Sequence, residues 1–249
     1  MSDIYQGIIL KVVPYKESDA IITLLTKNEG HISFKARGIF KINSKNASSL
    51  QLYTIGEYKL ESKLDYSNKT LSSASTLFFP LYIYEDLKYS CIFNFIAELS
   101  YIYKDNYLEI YNILETMIKN LDKIDFLTAV LLVLKYVFKW NGVIFEVDSC
   151  VKCNKKQVDF FNYNEGGFLC NKCAKHIAHN ISSLNYLKQI RIVMKANIEN
   201  IFSYKIDEII GYKIFIDLFK YLESNLGIYL KSKEMLLMCI KNTDSRLTE

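Results

Sequence analysis

Two Cys-x-x-Cys pairs, Cys150–Cys153 and Cys170–Cys173, stand sixteen residues apart in a chain that has six cysteines in all. Each pair forms a tight turn whose two thiolates reach one ion, and this spacing reads as a tetrathiolate zinc site. The intervening residues are enough for a hairpin that closes one pair on the other, and Gly166 and Gly167 supply backbone freedom just before the second pair. A thioredoxin-like redox centre needs a single pair at a helix start, and an iron–sulfur cluster is a further rival. A four-cysteine tetrahedral site is closed, so the expected ion is structural rather than catalytic. His176 and His179 follow closely and are alternative ligands, or a surface pair heading a linker. Cys91 and Cys239 lie on apolar helical stretches and read as buried thiols.

The rival reading of two disulfides depends on the compartment. No opening segment joins a charged region to an apolar one, which argues for a cytoplasmic address, where disulfides are uncommon. The most apolar run, Phe126 to Phe138, is too short to span a bilayer and carries Lys135, so it reads as a core helix and no membrane role is expected.

Hydropathic period divides the rest of the chain. Up to about residue 79 the pattern is that of strands: Gly7 to Val13, a turn through Pro14, Ala20 to Thr26, then Asn28 to Gly30 as a hairpin turn. The run after Gly30 alternates strictly, with Ile32, Phe34 and Ala36 on one face and Ser33, Lys35 and Arg37 on the other. Tyr58 to Asp65 alternates again, and a last short run covers Thr70 to Leu77. Five strands without a helical segment predict a small barrel, for which an OB-fold and an SH3-like barrel fit equally. From Pro80 the period becomes helical. Ile92, Phe95, Ile96, Leu99, Ile102 and Tyr103 make one stripe, and Tyr107 to Leu121 a second helix. Asp125 caps a third that Gly142 ends; Ser182 or Ser183 opens a fourth running to about Phe202. A fifth covers Tyr212 to Asn225 before Gly227, and a short one starts near Ser232. The expected architecture is therefore α+β: a barrel over residues 1–79, then a helical domain over 80–249 interrupted by the cysteine unit at about 146–178.

Net charge is only +4, so no global basic field marks the function. Locally, no acidic residue occurs between Glu29 and Glu57, whereas Lys35, Arg37, Lys41 and Lys45 all fall there. Lys35 and Arg37, two apart on one strand, would stand roughly 6–7 Å apart, near the spacing of successive phosphates. Lys41 and Lys45 follow in a loop suited to neutralising charge without reading bases. The bland alternative is a solvated sheet face. Three histidines, scattered carboxylates and the absence of any Walker-type or Gly-x-Gly-x-x-Gly loop give no catalytic constellation, so an enzyme is not expected.

Four stretches carry a resemblance. Pro14 to Ser33, "PYKESDAIITLLTKNEGHIS", and Leu134 to Cys153, "LKYVFKWNGVIFEVDSCVKC", are joined by "GGFLCNKC" (Gly166 to Cys173) and "YLESNLGIYLKSKEML" (Tyr221 to Leu236). In this order, with the paired cysteines, they resemble the RecO family of bacterial recombination mediators over nearly the full chain. The resemblance implies an OB-fold, a helical domain and a zinc insertion. It also implies binding to single- and double-stranded DNA and annealing of complementary strands. In that RecFOR pathway of DNA damage repair, the implied partners are RecR, the tail of single-stranded DNA-binding protein and, indirectly, RecA. Two departures stand out. "RGIFK" keeps Arg37, Gly38 and Lys41 of a more basic family run but puts Phe40 where an arginine is usual, and Asn154 replaces a common glycine after the first cysteine pair. A zinc-stapled adaptor gripping acidic peptides is the alternative function, and a nucleic-acid enzyme with unrecognised carboxylates a third.

Overall fold

The computed structural model describes residues 2–62, 69–175 and 182–243. The chain divides into two compact units, Met1–Asn120 and Leu121–Glu249.

The first unit opens with five strands: β1 (Ser2–Tyr15), β2 (Asp19–Thr26), β3 (Gly30–Ala36), β4 (Ile55–Ser62) and β5 (Lys69–Phe78). They close into a barrel in the order β1-β2-β3-β5-β4. β1 is long enough to serve two neighbours. Its first half pairs with β4 from Ser2↔Glu61 to Ile8↔Ile55, and its second with β2 as far as Tyr15↔Asp19. An irregularity between Ile9 and Lys11 bends the strand between the two. The ring closes through a short parallel contact, Phe34↔Lys69 and Lys35↔Thr70. This strand order, with β3 parallel to β5, decides between the two barrels that alternation left open: it is the OB arrangement.

Alternation places the core as expected. Ile32, Phe34 and Ala36 face inward with Ile22, Leu24, Tyr58 and Leu60. Two boundaries differ. Pro14 lies in β1, opposite Ala20, not in a turn; there β1 has only one neighbour, so a residue without an N–H is tolerated. β3 ends at Ala36, which leaves Arg37 in the following turn rather than on the strand.

Two helices, α1 (Leu87–Ile102) and α2 (Tyr107–Asn120), pack against the barrel within this unit. Tyr53 donates its hydroxyl to Asn94 Oδ1 at 2.6 Å, and Tyr107 to the Asn28 carbonyl at 2.9 Å. The α1 stripe buries Ile92, Phe95, Ile96 and Leu99, but Ile102 at the last turn is exposed.

In the second unit α3 (Phe126–Trp140) is buried along almost its whole length. Asp125 caps it, accepting from the Thr128 N–H at 2.8 Å. The cysteine segment follows, with β6 (Phe160–Asn162), β7 (Gly167–Leu169) and the single turn α4 (Asn171–Ala174). Then come α5 (Leu184–Lys195), α6 (Glu208–Leu226) and α7 (Lys233–Thr243). Ser183 caps α5. That helix stops at Lys195, short of Phe202, because Asn197 and Asn200 bond each other's backbone. Asn197 Oδ1 accepts from the Asn200 N–H at 3.0 Å, and Asn200 Oδ1 from the Asn197 N–H at 2.8 Å. Asparagine offers the chain this alternative to the helical ladder. Asp207 caps α6, and the N–H groups of Gly227 (φ 67°) and Ile228 close it on the Leu222 carbonyl.

Candidate functional site

The cysteine centre is built from two turns and a hairpin. In the first turn the Asn154 N–H bonds the Cys150 carbonyl and the Cys150 N–H bonds the Lys155 carbonyl, both at 2.8 Å. Asn154 adopts φ 59°, so this departure from glycine is accommodated by a residue that tolerates the left-handed region. The second pair starts where β7 ends. Cys170 precedes α4, and its carbonyl accepts from Cys173 and Ala174, both at 3.1 Å. Val151 N–H donates to the Phe168 carbonyl at 2.9 Å and ties the halves together. Gly167 makes the closure possible: its φ is 147°, and a Cβ there would sit 2.1 Å from the Glu146 carbonyl oxygen.

All four sulfur atoms lie within 4.8 Å of one another, with Cys153 Sγ and Cys170 Sγ 3.6 Å apart. Four thiolates at Zn–S distances around a tetrahedral ion would be about 3.8 Å apart, so the donor set fits a tetrahedral metal. All six cysteines are free thiols. Electrostatics agree with the geometry. Burial pushes the Cys150 thiol up, but backbone N–H groups of Cys170, Lys152 and Cys153 outweigh it and bring it to about 6. The Cys173 N–H draws Cys170 down. Cys173 is pushed up to about 12, chiefly by the sulfurs of Cys153 and Cys170. N–H dipoles thus favour thiolates at the centre, while mutual repulsion keeps a proton there, a conflict that a cation removes. His176 and His179, the alternative ligands, lie outside the described residues. Cys91 and Cys239 are buried, as expected of core thiols.

The basic residues divide into two kinds. Lys35 Nζ lies 2.9 Å from Asp19 Oδ2 and 4.8 Å from the centre of the Tyr15 ring. The second Asp19 oxygen accepts from the Gly38 N–H at 2.9 Å. The Lys35 ammonium, then this N–H, holds the Asp19 carboxyl below its usual range. Lys35 is therefore already partnered. Arg37, Lys41 and Lys45 are exposed on the segment after β3 and make no ion pair among the described residues. Phe40 is half exposed beside them, and Ile42 is fully exposed. Sequence reading missed Asp19 because it counted charge along the chain. The pairing Ala20↔Ala36 brings the start of β2 beside the end of β3. It also missed Lys69, which reaches the same edge opposite Phe34 and donates to Tyr5 Oη at 2.7 Å.

Among the described residues His31 Nε2 and Ser100 Oγ stand 2.9 Å apart, the spacing of a nucleophile–base pair. Ser100 is fully buried and gives its proton to the Ala97 carbonyl.

A closed OB-type barrel in one unit and, in the other, four cysteines placed where they could hold a metal ion define an α+β protein. Comparison with known proteins narrows the class. The family model described as "Recombination protein O N terminal" matches residues 1–78, and "Recombination protein O C terminal" matches residues 84–234. The chain belongs to the RecO family of DNA repair proteins. It is 25% identical to the DNA repair protein RecO of Dehalococcoides mccartyi strain 195 over 209 residues, covering 81% of this chain and 82% of that protein. It is also 25% identical over 245 residues to the DNA repair proteins RecO of Bacillus cereus strain B4264 and Bacillus anthracis strain CDC 684, covering 93% of this chain and 95% of each relative. Among the described residues no helix is long and apolar enough to cross a membrane.

Proposed function

We propose that this DNA repair protein is a non-enzymatic recombination mediator. It binds single- and double-stranded DNA and anneals complementary strands. With RecR it helps load RecA onto strands covered by single-stranded DNA-binding protein, acting in the cytoplasm at the nucleoid. The observation that carries the DNA-binding reading is the run of exposed cations Arg37, Lys41 and Lys45, without an ion pair among the described residues, on a segment with no acidic residue from 30 to 56. The domain taking the strand is the barrel segment 1–79, and Lys35 joins the strip when Asp19 releases it. Family membership supports the partner assignments.

The mechanism follows from the charges. Two strands anneal when their phosphate repulsion is lowered and their bases stay free. Exposed cations on a loop hold phosphates without fixing bases. Phe40 adds a face on which a base can stack, a contact every base makes. The helical domain, 80–249, carries the insertion at about 146–178, where Cys150, Cys153, Cys170 and Cys173 would hold one structural Zn²⁺. Bound there, the ion neutralises thiolate charge and cross-links the insertion. Four cysteine ligands would leave such an ion no position for water, so the protein's own residues do the work of binding DNA.

The test is strand annealing by the full-length purified protein without ATP or magnesium, with metal analysis of the same preparation. Annealing and about one zinc per chain are expected. A protein that neither anneals nor binds DNA at low salt refutes the mediator reading, and a metal-free, fully stable protein refutes the zinc assignment.

A further inference from the structure

The loop joining β6 to β7 and the last turns of α6 flank an open cleft of about 290 Å³ within the second unit. This is at the small end for ligand clefts, room for one heterocycle rather than an extended peptide. One wall is aromatic: Tyr163 packs edge-on to Phe161 at 4.8 Å and lies 6.1 Å from Tyr221. Behind that wall runs a chain of hydroxyls. Tyr163 Oη and Tyr186 Oη are 2.9 Å apart, and Tyr186 donates to Asp217 Oδ2 at 3.1 Å. Asp217 is thereby held in the lining, and its other oxygen accepts no hydrogen bond among the described residues. Across the cleft Asn225 Nδ2 donates to Asn164 Oδ1 at 3.3 Å. That leaves the Asn164 amide N–H groups without a hydrogen bond among the described residues, while Asn225 Oδ1, which Ser224 Oγ approaches at 2.9 Å, keeps one lone pair for a further donor. Lys220, exposed, also lines the opening.

An aromatic wall, amide donors with an acceptor, and a fixed carboxylate suit a planar ring whose edge alternates donors and acceptors. A carboxylate-bearing or acidic peptide is disfavoured by Asp217. An aliphatic ligand would leave the amides without partners. We propose that this cleft takes a single unpaired nucleobase bearing an exocyclic amino group, the amine donating to Asp217, the amide pair reading the neighbouring edge and Lys220 meeting the adjoining phosphate. Three of the four DNA bases qualify and thymine does not, so the site grips strands of nearly any sequence. The inference rests on the single-strand binding proposed above, and locates a contact point separate from the barrel strip.

The test uses the full-length protein and short oligo-dC and oligo-dT at slightly alkaline pH, two single strands whose bases differ in the amino group. The wild type should hold oligo-dC more tightly by about fivefold or more, the low end for a base-edge contact. Asp217→Asn should narrow that preference. Asn164→Ala, on the exposed turn, should also narrow it by lowering oligo-dC affinity more than oligo-dT affinity. Equal affinity for the two strands, or a loss in the variants that falls on both alike, overturns the cleft while leaving DNA binding by the barrel standing. No binding to either strand overturns both readings.

Discussion

Replacing Arg37 and Lys41 together by alanine removes two of the three exposed cations that follow β3. Neither has an ion-pair partner among the described residues, so both are available to displace counterions. Each phosphate neutralised on a single strand contributes about 0.7 to the log–log salt slope, so the double variant should lose about 1.4 units. Raising salt fourfold, from about 50 to 200 mM, then shrinks the ratio of wild-type to variant affinity by about sevenfold. Lys35 provides the internal contrast. Its ammonium is bound to Asp19 at 2.9 Å, so Lys35→Ala should move the slope less than either exposed cation does. Asp19→Asn, which keeps an oxygen for the Gly38 N–H, frees Lys35 and should steepen the slope by up to about 0.7. Fluorescence anisotropy of a labelled single strand, titrated over a salt series, reads all of these. If the double variant keeps the wild-type slope, or Asp19→Asn leaves it unchanged, this strip is a solvated surface and the strand lies elsewhere.

Gly167→Ala should destabilise the second unit by more than about 2 kcal/mol, because φ 147° and a Cβ only 2.1 Å from the Glu146 oxygen forbid a side chain; differential scanning calorimetry measures it, and an unchanged transition refutes the closure. Burial, aided by the Lys104 charge, holds His31 below its ordinary value of 6.5. The unfolded chain therefore binds the proton more readily, so this contribution to stability is present above that value and is lost as pH falls through the folded one. Acidification from pH 7.5 to 5.5 should lower the Tm of the wild type more than that of His31→Phe, and equal slopes would show that His31 is not the titrating group.

How much of this could be read from the sequence depended on whether the information was local. Helix starts were local: Asp125 and Ser183 accept from the N–H groups that a cap should satisfy. The cysteine spacing was local too, because each pair forms its own turn and only one hairpin separates them. Strand alternation found the barrel interior but not its closure, since Phe34↔Lys69 joins residues whose neighbourhood no period encodes. The same limitation hid Asp19 from the charge count: a pairing register, not proximity in the chain, sets it against Lys35. The α5 end was misjudged because side-chain bonds of Asn197 and Asn200 overrode a continuing apolar pattern.

The cysteine centre and the cleft are mechanically linked, and their energies say which governs the other. The core around the centre is tiny, Cys150, Leu169, Cys170 and Ala174 with a few half-buried neighbours, too little apolar surface to fold alone. The hairpin that carries Phe161, Tyr163 and Asn164 is held on one side by that centre. On the other, Phe161 and Tyr163 meet Phe145 at 5.7 and 5.6 Å, and Tyr221 meets Phe145 at 5.6 Å. Such ring pairs contribute about 0.5–1.5 kcal/mol each beyond area, whereas a tetrathiolate zinc contributes on the order of 10 kcal/mol of folding energy. The metal term is the larger by several-fold. Stripping the proposed zinc from the full-length protein should therefore loosen the hairpin and abolish the oligo-dC preference. Salt-dependent binding through Arg37, Lys41 and Lys45 on the other unit should persist. If the preference survives metal removal unchanged, the aromatic cluster alone holds the cleft, and the centre serves another part of the insertion.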